Sequence, residues 1–167
     1  SDLIDVQLDT DFFDDKATYL EEFPRVVYTG MIDQFFDYKF GELEYRSLRF
    51  ESEVLPTDNA QGNAVINYTD AETPYTRVME WRHFDQKGDD NVSILTREYP
   101  QVWDRSKEAY YPVNDEKNST LFKQYRSEAK QLDKVIMGGR LGNYQYYDMD
   151  QVFNAALGAV EKEFQQD

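Results

Sequence analysis

Four strand-like segments in the middle of the chain, residues 43–54, 62–69, 76–84 and 92–99, constrain its fold more than any other feature. They are rich in β-branched and aromatic residues and are separated by clusters of Pro, Gly, Asn and Asp, the pattern of strands joined by turns. Their spacing predicts antiparallel pairing through hairpin-like links, one of them at Lys87-Gly88-Asp89-Asp90. Segment 76–84 alternates Arg77, Met79, Trp81 and His83 with Val78, Glu80, Arg82 and Phe84, so both sides mix polar and apolar groups. Such a sheet is not buried on both faces.

The flanks read as α/β pieces, which makes the fold class α+β. Ile4, Val6 and Leu8 alternate as in a short strand, and Arg25 to Gly30 is a compact apolar run entering a tight turn. Phe35, Phe36 and Phe40 follow at helical spacing, with Gly41 as a stop. Asn114 is placed to cap a helix striped by Leu121, Phe122, Tyr125 and Ala129. Lys134 to Met137 predicts a strand running into Gly138-Gly139-Arg140. Asp148-Met149-Asp150-Gln151 is a capping box opening a last helix striped by Val152, Phe153, Ala156, Leu157, Val160 and Phe164.

Composition excludes several functions. Without cysteine there is no disulfide scaffold, thiolate metal site or cysteine nucleophile, and His83 as the one histidine leaves no multi-histidine metal site. His83 itself reads as sheet packing. A formal charge of −15 argues against nucleic acid and anionic membranes, and no apolar run reaches the ~20 residues of a membrane span. No basic-then-apolar leader opens the sequence, so a soluble, cytoplasmic protein is expected. Setting tyrosine aside and counting glycine leaves about 37% apolar residues, below the ~45–50% of a self-contained domain. The 13 Tyr and 11 Phe compensate with large amphipathic rings, which rules out a disordered acidic chain.

Residues 138–150 are the most informative for chemistry. Two glycines allow close backbone approach, Arg140 offers a fork for phosphate, and a helix start presents free N–H groups. That arrangement suits a nucleotide or flavin dinucleotide; it equally suits a tight turn before an ordinary capped helix. The Gly-x-Gly-x-x-Gly fingerprint is absent from the chain. Tyr110-Tyr111 and Tyr146-Tyr147 can bond phosphate or sugar hydroxyls, or pack as half-buried rings. Arg77 can bind phosphate or pair with an acid such as Glu98. Unaided, these residues reach an anionic nucleotide-sugar cleft.

Longer blocks carry a resemblance. Tyr28-Thr29-Gly30 precedes Ile32-Asp33-Gln34-Phe35-Phe36-Asp37-Tyr38, followed by Leu43-Glu44-Tyr45-Arg46-Ser47-Leu48, Gln61-Gly62-Asn63-Ala64-Val65-Ile66-Asn67 and Thr73-Pro74-Tyr75-Thr76-Arg77. Thr96-Arg97-Glu98-Tyr99-Pro100, Tyr110-Tyr111-Pro112-Val113-Asn114-Asp115, Gly138-Gly139-Arg140 and Tyr146-Tyr147-Asp148-Met149 complete the series. In this order the blocks resemble the C-terminal part of bacterial UDP-galactopyranose mutases. Met31 stands where that family usually has proline, and Trp81-Arg82 where it usually has His-Lys. Family members are roughly twice this length, so the chain is expected to cover the second half, without the flavin fingerprint.

The resemblance implies an isomerase of UDP-galactopyranose and UDP-galactofuranose that works through a sugar adduct on N5 of reduced FAD and serves cell-wall polysaccharide synthesis. It implies a homodimer at full length and no activity from these residues alone. Arg77 would be the catalytic arginine beside the sugar and diphosphate, with Asn67, Glu98, Tyr111 and Tyr146 as further substrate contacts. Arg140 would meet the FAD pyrophosphate, and Tyr147, Asp148, Met149 and Asp150 would face the flavin. Val6, Thr29 and Gly30 would lie at the adenosine end. No metal is implied. Residues 1–40 and 130–167 would complete a flavin-binding domain, with 41–129 as the sheet region for substrate. Two rivals remain from other classes: a non-catalytic nucleotide-sugar-binding module, and a different flavoenzyme such as an oxidase.

Overall fold

A computed structural model of the chain describes residues 3–84 and 91–165; the link expected at Lys87 to Asp90 lies outside them. Strands are β1 (Val26–Tyr28), β2 (Tyr45–Leu55), β3 (Val65–Asn67), β4 (Arg77–Glu80), β5 (Ser93–Val102), β6 (Tyr111–Pro112) and β7 (Val135–Met137). Helices are α1 (Lys16–Glu22), α2 (Ile32–Phe35), α3 (Glu116–Ala129), α4 (Gly139–Gly142) and α5 (Met149–Phe164). The class is α+β, with one five-stranded antiparallel sheet and one parallel strand pair. Two compact units divide the chain: residues 44–113, and residues 1–43 with 114–167. The reading from sequence extended the sheet region to 129, whereas α3 clusters with the second unit.

The 44–113 unit is the sheet, in the order β3-β4-β5-β2-β6. The long strands β2 and β5 pair over ten residues, from Arg46↔Val102 to Leu55↔Ser93. One face carries Tyr45, Ser47, Val78, Glu80 and Leu95, all buried. Glu80 is a charge in that core, accepting from Ala60 N–H at 2.8 Å, Gln61 N–H at 2.9 Å and Ser93 Oγ at 2.5 Å, with His83 Nε2 3.2 Å away. Burial alone would raise its pKa; the Ala60, Ser93 and Gln61 donors and the nearby His83 outweigh it and bring the carboxyl down to about 2.

The strand expected over 76–84 ends at Glu80, and Trp81–His83 turn into a 3-10 helix. That turn carries His83 back to Glu80 three residues earlier, which a continuing strand could not do.

The other unit is built on aromatics, which explains how a chain short of aliphatics forms a core. Tyr28, Phe35, Tyr125 and Tyr144 are buried alongside Ile32 and Leu43. Phe12, Tyr28 and Phe35 pack with ring centroids 5.0–6.1 Å apart. Tyr125 donates to Gly41 O at 2.6 Å and accepts from Phe40 N–H at 3.1 Å. Gly41 sits at φ +111°, where a side chain would be strained.

Two expectations change here. Ile4, Val6 and Leu8 form no strand and are exposed, because no neighbouring strand offers them a ladder among the described residues. The cap of α3 is Asp115, one residue later than expected; its carboxylate accepts from Asn118 N–H at 2.7 Å. The capping box of α5 is present, with Asp148 N–H donating to Gln151 Oε1 at 2.8 Å.

Candidate functional site

The register of the sheet aligns Asn67, Arg77, Glu98 and Phe50 in one row across β3, β4, β5 and β2. Directly opposed residues share a face, so the three polar side chains meet. Arg77 donates through Nε to Asn67 Oδ1 at 2.9 Å, and its Nη1 lies 3.8 Å from Glu98 Oε2. The Arg77 side chain is 42% exposed while that of Glu98 is 12% exposed, so the cation faces outward from an anchored carboxylate. A guanidinium fixed on one edge and open on the other can receive an anionic oxygen.

On the same face a trough of about 600 Å³ runs past Glu98 to Tyr111. Phe50, Met79, Trp81 and Thr96 contribute to its walls. Trp81 Nε1 donates to Thr96 Oγ1 at 2.7 Å, and that hydroxyl lies 2.7 Å from Ser52 Oγ, which pins the indole to the sheet. Phe50 goes unmarked in the sequence, and Trp81 is legible there only as a member of Arg77's alternation, not as a site residue. The signal was their even spacing along the strands that carry Glu98's partners and Arg77, which puts them on Arg77's side of the sheet.

In the second unit, the carboxyl ends of the parallel pair β1 and β7 bring Thr29-Gly30 beside Gly138-Gly139-Arg140. Gly138 N–H donates to Tyr28 O at 2.9 Å. Gly139 adopts φ +69° against the Thr29 side chain, and a Cβ on Gly142 would stand 2.9 Å from the Tyr28 carbonyl, so this crossing needs glycine. Arg140 donates through Nε to Tyr147 O at 2.7 Å, and its guanidinium lies 5.2 Å from the Tyr146 ring centre. Arg140, Tyr146 and Tyr147 therefore form one cluster leading into Asp148, Met149 and Asp150 at the start of α5. Val6 does not join it: it is exposed on the segment before the first aromatics, where Asp5 and Gln7 line a separate hollow with Phe12 and Tyr19.

Carboxyl ends of parallel strands are where dinucleotides bind in α/β units, so Thr29, Gly30, Gly139 and Arg140 fit one side of such a ligand. Among the described residues no cluster of three or more His, Asp or Glu could hold a metal, and no helix is long and apolar enough to cross a membrane.

The profile of one family, UDP-galactopyranose mutase, matches residues 1–146. A dTDP-fucopyranose mutase of Escherichia coli is 36% identical over 141 residues, covering 84% of this chain and 37% of the relative. A probable UDP-galactopyranose mutase of Klebsiella pneumoniae is 32% identical over 159 residues, covering 95% and 40%. The UDP-galactopyranose mutase of Mycoplasma pneumoniae is 38% identical over 142 residues, covering 82% and 35%. The chain thus spans 35–40% of the length of these curated relatives.

Proposed function

The chain belongs to the UDP-galactopyranose mutase family, and on that premise we propose that it supplies the diphosphate-binding sheet of an FAD-dependent mutase interconverting UDP-galactopyranose and UDP-galactofuranose. The observation that carries this reading is the Asn67–Arg77–Glu98 row, which sets one outward-facing cation beside a trough ending at Tyr111. In a chain of formal charge −15, a locally focused arginine of this kind is suited to an anionic leaving group.

Reduced FAD would supply the nucleophile, a role for which this chain has no cysteine. Arg140 would hold its pyrophosphate, with Thr29 and Gly30 toward the adenosine end and Tyr147, Asp148, Met149 and Asp150 toward the ring. Arg77 would stabilise the diphosphate charge that grows as the anomeric bond breaks. Tyr111 and Tyr146 would donate to the same diphosphate, Asn67 would hold Arg77 in register, and Glu98 would orient Arg77 from its other side. Residues 1–43 and 114–167 would then serve the flavin and the sheet unit the substrate, in a homodimeric cytoplasmic enzyme.

By themselves the 167 residues carry no Gly-x-Gly-x-x-Gly turn and would be inactive, with weak affinity for FAD. The test is isomerisation of UDP-galactopyranose by the flavin-loaded protein that carries this chain, with and without dithionite. Turnover should require the reductant. Absence of furanose product with fully reduced flavin would overturn the proposal.

A further inference from the structure

The link between Arg77 and Glu98 is loose, at 3.8 Å, although both side chains stand opposite each other in the ladder. An unrestrained arginine and glutamate so placed would close into a two-pronged pair with hydrogen bonds of about 2.7–2.9 Å. Thr76 also engages Glu98, its hydroxyl lying 3.3 Å from the Glu98 carbonyl and nearer to the carboxylate. Its backbone N–H donates to Glu98 O at 2.9 Å, and its hydroxyl donates to Glu98 Oε1 at 3.0 Å. One carboxylate oxygen is thereby held away from the guanidinium, and on the far side Asn67 occupies Nε.

We propose that Thr76 is a positioning residue: by tethering Glu98 it keeps the Arg77 guanidinium oriented but unneutralised, open to an anionic diphosphate. The inference rests on the diphosphate role assigned to Arg77 above. Without the Thr76 hydroxyl, Glu98 rotates onto Arg77 and competes with the ligand for the same N–H groups. The tether converts what would be a self-satisfied ion pair into a receptor.

A double-mutant cycle on the flavin-loaded protein tests this, with UDP as the probe and calorimetry as the readout. Thr76→Val should weaken UDP binding about tenfold when Glu98 is present and leave it unchanged in a Glu98→Gln background, a coupling of the size seen for contacting groups. Thr76→Ser, which keeps the hydroxyl, should bind UDP as the parent does. A purely structural Thr76 would cost the same in both backgrounds, and that result, or no loss in either, overturns the inference. If the cycle behaves as expected but reduced protein makes no furanose, the mutase reading falls while the tether stands. If the parent protein fails to bind UDP, both fall together.

Discussion

Arg77 opposes the charge of the chain around it, and its environment determines whether that opposition is useful. The row across the sheet fixes its Nε on Asn67 and sets Glu98 beside it, leaving the side chain 42% exposed. Arg77→Ala in the flavin-loaded protein should lower kcat/KM by about two to three orders of magnitude, the cost of losing one preorganised charge donor, with flavin content unchanged. Near-normal turnover would remove Arg77 from the chemistry. The tyrosines allow a finer test, because each ring has a packing duty apart from its hydroxyl. Tyr146 lies against the Arg140 guanidinium and Tyr111 at the end of the trough. Tyr111→Phe and Tyr146→Phe keep both rings in place, so each should weaken UDP by about 0.5–3 kcal/mol with little change in Tm. A lowered Tm with intact UDP affinity would make the hydroxyls structural.

Elements show where the sequence was readable and where it was not. The strands of the sheet, the β7-to-glycine turn and the α5 capping box were legible because each depends on neighbours close in sequence: alternation, Gly-Gly, or Asp three residues before Gln. The Ile4–Leu8 alternation misled for the opposite reason, since a strand exists only if another strand pairs with it. Glu98 and Asn67 are legible as neighbours of Arg77, but their alignment in one row is not, because register is a relation between strands that no single segment encodes. Glu80 was read merely as one member of an alternating strand, yet it ties β4 to the loop at Ala60–Gln61 and to Ser93. Its pKa is depressed from 4.5 to about 2, so its contribution to stability is fully present above about pH 4.5 and is lost as pH falls toward 2. Glu80→Gln should therefore melt lower than the parent at neutral pH, and the gap should close as the pH is taken down through that window. A gap in Tm that stays constant from pH 7 to pH 2 would mean the carboxylate's charge is irrelevant to the fold.

At the scale of the whole molecule, the conflict is between a large negative charge and an uncovered apolar stripe. Helix α5 turns Val152, Ala155 and Ala159 inward at intermediate burial, while Met149, Phe153, Leu157, Val160 and Phe164 are 53–78% exposed on its outer side. Spacing of i, i+4, i+8, i+11 and i+15 makes these residues one continuous stripe rather than scattered surface side chains. Contact through the stripe would remove apolar area worth about 25 cal/mol per Å², but two chains of charge −15 repel each other at low salt. Screening lengths fall from about 30 Å at 0.01 M salt to about 10 Å at 0.1 M, so added salt should tip the balance toward contact. The 167-residue chain should accordingly bind a hydrophobic dye and sediment as a larger species as salt is raised. Phe153→Glu with Leu157→Glu should abolish both effects while leaving Tm nearly unchanged, because surface substitutions away from the core usually shift stability by only about ±0.5 kcal/mol. Val152→Asp, on the inward side of the same helix, should instead lower Tm clearly. If the outward pair of substitutions unfolds the chain, the stripe is packed rather than exposed.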